Sequence, residues 1–236
     1  MRERKGRNAG KEPIHARKGS MMSCCATEGT DKFFSRQARR FARRFRRRGL
    51  DKPSRLIVKG LLSRGIAGKS LLDIGCGVGG LHLTLLQKGA SYAQGVELAE
   101  GMLNAARLLA EELGFKERVR YQKGDFVSMD GDVAPADVVV LDKVICCYPD
   151  FEDLIVKSTG KARSLYAVSY PRDAFFPRLG FRSGALLGKI LKWSFSPYYH
   201  DPVLIDGAIR GCGLKEVFSE KTFVWKVKVF TREDPQ

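Results

Sequence analysis

One segment of the chain has residue types and a spacing that suit ligand binding, the run LLDIGCGVGG at residues 71–80. Gly75, Gly77 and Gly79 remove Cβ atoms where the chain must turn sharply, and they let a ligand touch the backbone. A helix that begins directly after them offers unpaired N–H groups and the positive end of its dipole to an anionic group. Gly75, Gly77 and Gly80 also satisfy G-x-G-x-x-G, so the glycines alone indicate some kind of nucleotide-binding turn.

Two carboxylates near this turn narrow the choice of ligand. Asp73 lies two residues before the first glycine, at the end of a predicted strand, where a carboxylate repels a pyrophosphate but attracts the ammonium of an amino-acid group. Glu97 ends the next predicted strand, where it can accept hydrogen bonds from both hydroxyls of a ribose. The pair therefore favours a nucleoside that carries an amino acid over a dinucleotide.

The hydrophobic pattern predicts the elements that position these residues. From Ser70 onward, short apolar runs alternate with longer helical patterns, which predicts βαβ units and a parallel sheet. The predicted strands are SLLDI, YAQGVEL, RVRYQKGD, ADVVVLD and SLYAVSY, and the predicted helices cover residues 80–88, 100–113, 150–159 and 202–211. Two final strands, LKEVFSE and FVWKVKVF, are close in sequence and should pair antiparallel. We expect an α/β fold with a doubly wound, Rossmann-like, mostly parallel seven-stranded sheet, an antiparallel last strand and an N-terminal helical extension.

Positive charge is concentrated ahead of this region. The net charge is +16, and residues 1–50 carry 16 Lys or Arg against 4 Asp or Glu, a balance of +12. This asymmetry indicates a basic arm attached to a nearly ordinary domain. We predict a disordered basic tail over residues 1–20, a helical cap over residues 21–65 and one domain over residues 66–236.

The cap contains an amphipathic basic helix that ends near Gly49, followed by a second short helix after Pro53. In the first helix, apolar side chains recur at helical spacing among arginines, at Phe34, Ala38, Phe41 and Phe45. We expect the Phe face to pack over the ligand pocket. Interleaved Phe and Arg also suit contact with RNA phosphates or with a membrane surface, and these two alternatives stay open.

Several classes of protein are disfavoured. No uninterrupted apolar run approaches the ~20 residues of a membrane-spanning helix. The N-terminal region lacks the apolar segment of a secretory signal, so a cytoplasmic location is the default. The 6 cysteines include no pair with C-x-x-C spacing, and no metal site is predicted.

With these motifs, the chain resembles the class I methyltransferase superfamily, whose pattern D-x-G-x-G-x-G is matched by Asp73, Gly75, Gly77 and Gly79. The resemblance covers roughly residues 66–236 and implies an enzyme that uses S-adenosylmethionine. By it, Glu97 would bind the ribose, Met102 would neighbour the adenosine, Asp125 and Phe126 would meet the adenine, and Asp142 would line the methyl-transfer site. Cys76 and Leu98, which adjoin these positions, complete the predicted cofactor site.

The methyl acceptor is predicted to be a small molecule. The N/D-P-P-Y/F motif of many enzymes that methylate bases or amides is absent, which disfavours a DNA methyltransferase. The segments DVVVLDKVICCYPD, YAVSYPRDAFFPRLG and YYHDP are similar to the magnesium-protoporphyrin O-methyltransferase family, which esterifies a propionate on a flat tetrapyrrole. This resemblance implies O-methylation of a carboxylate or a hydroxyl on an apolar, flat substrate such as a porphyrin.

Three residues are candidates for a role in catalysis. Arg172 can pair with an acceptor carboxylate, which needs positioning but no base. His200 can act as a general base for a hydroxyl acceptor. Asp142, at the end of the fourth strand, is the third candidate, because the resemblance implies that it lines the methyl-transfer site. Apolar walls for a flat ligand would come from the aromatic residues Tyr148, Tyr170, Phe175, Phe176 and Trp193.

Overall fold

The computed structural model describes residues 24–173 and 198–232. The helices are α1 (Cys24–Arg48), α2 (Lys52–Leu62), α3 (Gly80–Gln87), α4 (Glu100–Glu112), α5 (Phe151–Gly160) and α6 (Pro202–Gly211). The strands are β1 (Ser70–Ile74), β2 (Tyr92–Glu97), β3 (Val119–Lys123), β4 (Ala136–Asp142), β5 (Ala162–Pro171), β6 (Leu214–Lys221) and β7 (Trp225–Arg232). Three short 3₁₀ turns cover Lys116–Arg118, Asp130–Asp132 and Ile145–Cys147.

The seven strands form one sheet in the order β3-β2-β1-β4-β5-β7-β6. Strands β1 to β5 are parallel to one another, and β7 is antiparallel to both β5 and β6. The strand order reverses between β1 and β4, and open α/β sheets bind their ligands at the carboxyl ends of the strands next to such a reversal. The predicted fold class and the predicted antiparallel pairing of the last two strands are confirmed.

Apolar side chains cover both faces of the sheet, which explains why the parallel strands read as nearly continuous apolar runs. One core cluster joins the sheet to α1, α2, α3 and α4, and a second joins it to α5 and α6. The predicted helices from α2 onward are found within a few residues of their expected bounds. Helix α1 is longer than its apolar pattern indicates, because the described helix already includes Cys24.

Helix α1 is held against α4 by contacts that its amphipathic pattern alone does not reveal. The N-cap residue of α4, Ala99, has no side chain that can cap the helix. Instead the N–H of Glu100 donates to Asp31 Oδ1 at 3.2 Å, and the N–H of Gly101 donates to Ser35 Oγ at 2.8 Å. A Cβ on Gly101 would lie 2.8 Å from the Cα of Ser35, so a glycine is needed for this close approach.

Within the described ranges, no helix has the length and the apolar character required to cross a bilayer. The predicted tail over residues 1–20 lies outside the described residues.

Candidate active site

A cavity of about 340 Å³ opens at the carboxyl ends of β1, β2 and β4, between the sheet and helices α1 and α2. Its floor includes the glycine turn after β1 and the ends of β2 and β4. Of the residues predicted to bind the cofactor, the cavity is lined by Asp73, Gly75, Cys76, Gly77, Glu97, Leu98, Met102, Phe126 and Asp142. The sheet therefore brings most of the predicted set to one place.

The glycine turn is built as predicted, with the start of α3 directly behind it. Gly75, Gly77 and Gly79 all have positive φ angles, of 65°, 56° and 80°. The N–H groups of Gly75 and Cys76 donate to the carbonyl of Val96 at 2.8 and 3.2 Å, which fastens the turn to β2. A Cβ on Gly77 would meet no atom within 4 Å, so this backbone faces open space on the cavity wall.

Asp73 forms a buried hydrogen bond that its position in the motif does not reveal. Its Oδ2 accepts a hydrogen bond from His82 Nδ1 at 2.8 Å, and the two residues are 2% and 1% exposed. His82 Nε2 in turn lies 2.9 Å from the hydroxyl of Tyr121, on β3. Burial raises the pKa of Asp73, while the hydrogen bond and charge of His82 oppose that rise. His82 thus acts to keep a buried carboxylate ionised beside the glycine turn.

Glu97 links the end of β2 to the glycine turn. Its Oε2 accepts a hydrogen bond from the N–H of Gly77 at 2.8 Å, and its Oε1 accepts one from the N–H of Ala99 at 2.9 Å. Burial raises the pKa of Glu97, against the lowering effect of these backbone donors. Each carboxylate oxygen keeps a further lone pair for a hydroxyl group in the cavity.

These features fit S-adenosylmethionine. Its sulfonium and ammonium groups are positive, and Asp73 and Glu97 place two carboxylates on the cavity wall. Its ribose hydroxyls require acceptors, which Glu97 provides, and the backbone at Gly77 leaves room for close approach. Among the described residues, no group of three His, Cys, Asp or Glu side chains is placed to hold a metal ion.

A polar cluster at the end of β4 forms the other side of the cavity, and the sequence predicted only one of its members. Asp142 Oδ1 accepts a hydrogen bond from Ser169 Oγ at 2.6 Å, and its Oδ2 accepts one from Ser54 Oγ. Lys143 Nζ donates to Asp51 Oδ2 at 2.9 Å and to Asp142 Oδ2 at 3.3 Å. Asp51, Ser54, Asp142 and Lys143 all line the cavity. We refer to these four residues as the β4 cluster.

Two properties of the β4 cluster distinguish it from an ordinary surface ion pair. Lys143 is the one non-glycine residue of the described chain with a positive φ, of 64°, a conformation that is uncommon for a side chain of this size. Burial raises the pKa of Asp51, but the charge and hydrogen bond of Lys143 outweigh it, so that pKa is lowered overall. Sequence offers one signal for this cluster, the D-x-P-S start of α2, which predicts a helix cap and not a ligand site.

Comparisons with known proteins agree with this geometry. Residues 71–158 match the sequence profile of a family described as a methyltransferase domain. A sterol 24-C-methyltransferase of Eremothecium gossypii is 31% identical over 109 residues, which cover 46% of this chain and 27% of that protein. A ubiquinone biosynthesis O-methyltransferase of Idiomarina loihiensis is 38% identical over 99 residues, which cover 42% of this chain and 39% of that protein. The chain therefore spans well under half the length of these curated relatives.

Among solved structures, the magnesium protoporphyrin IX methyltransferase of Synechocystis PCC 6803 with bound SAH aligns with a TM-score of 0.68. The alignment covers 86% of this chain and 98% of that chain at 17% identity, and this likeness concerns the fold. Residues 71–158, which include the glycine turn and Glu97, therefore lie in a methyltransferase domain. The predicted superfamily and the predicted class of cofactor are thereby confirmed.

The two residues predicted to meet the adenine, Asp125 and Phe126, both follow β3 but differ in their relation to the cavity. Phe126 lines the cavity, as does Tyr148, whereas Asp125 is not among the lining residues. Asp125 accepts a hydrogen bond from the hydroxyl of Tyr148. Burial and the neighbouring Asp125 carboxylate raise the pKa of Tyr148 well above its usual value, so the phenol is protonated and donates. Gly79 is also absent from the wall and serves as the N-cap of α3.

The methyltransferase domain does not place Arg172 or His200 on the described wall of the cavity. The side chain of Arg172 reaches the carbonyl of Thr222 at 3.4 Å, on the turn between β6 and β7. His200 Nε2 lies 2.7 Å from the carbonyl of Tyr148, and its ring packs 4.7 Å from that of Phe151. Burial lowers the pKa of His200, which favours the neutral ring.

The expectation that Tyr170 forms part of a ligand wall is wrong. Tyr170 is fully buried in the core beneath α6, where its hydroxyl donates to Asp206. Its side chain points to the face of the sheet that α5 and α6 cover. Because β5 is apolar on both faces, its sequence pattern does not show which side chains lie toward the cavity. The remaining predicted wall residues, Phe175, Phe176 and Trp193, lie outside the described residues.

Helix α1 covers the cavity of the methyltransferase domain. Phe34, Phe41 and Phe45 line it from the side opposite the sheet, as expected from their spacing. Ala38 and Ala42, which lie between them on the helix, are 4% exposed and pack in the core. Small residues at these two positions let the helix approach closely enough for the longer aromatic side chains to reach the cavity.

Proposed function

We propose that this protein transfers a methyl group from S-adenosylmethionine to a hydroxyl oxygen of a small, largely apolar molecule. The observation that carries this proposal is the β4 cluster, which places Lys143 and Asp142 on the wall of the same cavity as the glycine turn. When bound, the cofactor supplies an electrophilic methyl group that an oxygen lone pair displaces in line from the sulfonium.

The charges on the described wall favour a neutral acceptor over an anionic one. Four carboxyl groups line the cavity, those of Asp51, Asp73, Glu97 and Asp142, against the two cations Arg44 and Lys143. A carboxylate acceptor would meet this negative excess, whereas a hydroxyl group would not. Arg172, the predicted partner of an acceptor carboxylate, does not contribute to the described wall.

Within this proposal, the residues of the β4 cluster have separate tasks. The Asp142 carboxylate accepts the hydrogen bond of the acceptor hydroxyl and takes up its proton as the oxygen bonds the methyl group, so that the methylated product leaves neutral. The ammonium of Lys143 stabilises the negative charge that develops on the oxygen as the proton leaves. The cluster is pre-organised by Ser54 and Ser169, which hydrogen-bond to the two oxygens of Asp142.

The aromatic side chains of α1 supply the apolar part of the acceptor site. Phe34, Phe41 and Phe45 exclude water from the cavity, which strengthens the electrostatic interactions inside it. The names of the curated relatives agree with an apolar acceptor, since they refer to a sterol and to ubiquinone biosynthesis. They include both an O-methyltransferase and a C-methyltransferase, so the choice of oxygen rests on the β4 cluster.

Cofactor binding is tested first, by calorimetry with S-adenosylhomocysteine. We expect Glu97→Gln and Asp73→Asn each to weaken binding by about tenfold or more, since each loses a charged hydrogen-bond acceptor. Asp137→Asn is the matched control, because Asp137 lies at the opposite end of β4 and bonds to Ser70. If Glu97→Gln binds as the wild type does, or if NADH binds more tightly, the assigned cofactor site is wrong.

The acceptor is tested by methyl transfer from labelled cofactor to a panel of apolar phenols and catechols, porphyrin carboxylic acids and tRNA. We expect transfer to a hydroxyl compound, and we expect Lys143→Met to lose it while S-adenosylhomocysteine binding is retained. Transfer to a porphyrin carboxylic acid, sensitive to Arg172→Ala, would instead support the carboxylate acceptor. Transfer to tRNA alone would overturn a small-molecule function.

A further inference from the structure

The outward face of α1 carries a stripe of arginines that no part of the proposed reaction uses. Arg36, Arg40, Arg43 and Arg47 follow each other at intervals of four, three and four residues, and all four are exposed. At 3.6 residues per turn this spacing aligns them along one face, over about 16 Å. The Phe residues that line the cavity lie on the opposite face of the same helix. We call these four residues the arginine stripe.

Within the described ranges, the arginine stripe has no acidic partner. In the described parts of the chain, α1 has one arginine with a carboxylate partner, Arg46, whose guanidinium bonds to Glu112 at 2.6 and 2.8 Å. No described carboxylate lies within ion-pair distance of the four residues of the stripe. Four uncompensated cations at this spacing repel one another, so the stripe gains from an anionic partner.

A shallow groove adjoins the stripe, between α1 and α4. Its volume is about 380 Å³, and its lining residues are Arg39, Ala42, Arg43, Arg46, Arg47, Ala105 and Leu108. The groove therefore combines a rim of four guanidinium groups with a floor of three apolar side chains. Leu108 is 57% exposed, which is unusual for a leucine surrounded by arginines.

We propose that the arginine stripe and this groove form a docking surface for anionic phospholipid in a membrane. Guanidinium groups bind phosphate by paired hydrogen bonds, and the apolar floor suits the glycerol and acyl part of a lipid. A nucleic acid would satisfy the arginines but would leave Leu108 and the alanines without a matching contact, so the lipid fits both halves of the groove.

This surface has a consequence for the cavity behind it. One helix carries the arginine stripe on its outer face and Phe34, Phe41 and Phe45 on its inner face. Docking on a bilayer would therefore hold the cover of the cavity at the membrane surface, where apolar small molecules concentrate. The docking proposal does not depend on the proposed function, because its measurement involves no methyl transfer.

The test is co-sedimentation of the full-length protein with vesicles of phosphatidylcholine, alone or with roughly 30% phosphatidylglycerol. We expect binding to the anionic vesicles at about 50 mM salt, and a large decrease at about 500 mM, because salt screens exposed charges. A surface arginine contributes about fivefold to such binding, so the variant Arg36→Gln/Arg40→Gln/Arg43→Gln/Arg47→Gln should lose roughly a hundredfold or more. A single variant, Leu108→Gln, should weaken binding without any change in charge.

The matched control is the variant Lys88→Gln/Arg120→Gln/Arg163→Gln/Lys221→Gln, which removes four exposed cations outside the stripe. Its net charge equals that of the stripe variant. It should bind anionic vesicles nearly as the wild type does. Equal loss in the control would overturn the proposal, since binding would then depend on net charge alone. Full binding by the stripe variant would also overturn it, as would stripe-dependent binding to tRNA in the absence of vesicle binding. Circular dichroism of each variant is the check that the exposed substitutions leave the fold intact.

Discussion

Replacing His82 with leucine would leave the carboxylate of Asp73 buried without its hydrogen-bond partner. The two side chains are 2.8 Å apart, and neither residue is more than 2% exposed. Leucine fills a similar volume, so the substitution mainly removes the charge and the hydrogen bond. Loss of one member of a buried pair typically costs about 3–5 kcal/mol, because the remaining charge has neither water nor a partner.

Protonation of Asp73 limits this loss and makes it dependent on pH. An Asp in the unfolded chain has a pKa of about 3.9, and neutralising it costs about 1.36 kcal/mol for each pH unit above that value. The loss of unfolding free energy in the variant cannot exceed this cost of protonation, which is about 5 kcal/mol at pH 7.5 but only about 1.5 kcal/mol at pH 5. Burial already raises the pKa of Asp73 in the folded protein, and removing His82 raises it further. A folded-state pKa above the unfolded value means that stability falls as pH increases, and the variant should show a steeper fall than the wild type.

Thermal unfolding at the two pH values measures this effect. For a chain of this size we expect the melting temperature of His82→Leu to drop by about 6–20 °C at pH 7.5 and by at most about 6 °C at pH 5. Tyr121→Phe is the control, since it removes one hydrogen bond to His82 and no charge, and its loss of about 1–3 kcal/mol should be similar at both pH values. Equal destabilisation of His82→Leu at pH 5 and pH 7.5 would refute the ionised, buried pair.

Three further predictions concern the cover and the acceptor side of the cavity. Gly101→Ala should destabilise the protein by about 1–3 kcal/mol and increase hydrogen exchange in α1, because the new Cβ would lie 2.8 Å from the Cα of Ser35 on that helix. Gly207→Ala is the control: its Cβ would meet no atom within 4 Å, so it should be neutral or stabilising. Lys143→Gly accommodates the positive φ but removes the ammonium, so kcat/KM for the acceptor should fall by tenfold or more while Lys143→Arg retains part of it. His200→Ala should cost less than the ~10²-fold in kcat expected of a general base, and a larger loss would place that ring in the reaction.

Local patterns in the sequence are sufficient to predict the helices and strands and the cofactor side of the cavity. Period-2 and period-3.6 hydrophobicity predict the strands and helices, because a residue's neighbours along an element are fixed by its geometry. The glycine turn, Asp73 and Glu97 are identifiable for the same reason, since each lies at the end of a strand that is recognisable on its own. Parallel strands then bring those ends to one edge of the sheet.

The acceptor half of the cavity depends on contacts between elements far apart in the chain. Asp51 is the N-cap of α2, as its sequence context predicts, yet it also binds Lys143, which follows β4. No local pattern relates these two residues. The residues around Lys143 in the sequence also give no indication that its φ is positive. The ends of the predicted strands are sufficient to place Arg172 and His200 at the carboxyl edge of the sheet. Whether their side chains reach the described wall of the cavity depends on packing, and neither does.

Charge composition and amphipathic spacing determined that α1 has an aromatic face and a basic face. Its placement was decided by the tertiary structure, through the capping of α4 by Asp31 and Ser35 and the close approach at Gly101. An amphipathic helix must bury its apolar face somewhere, but its own sequence does not specify against which surface. The complementary surface includes α4 and the strand ends around the cavity, so it exists only after the sheet has formed.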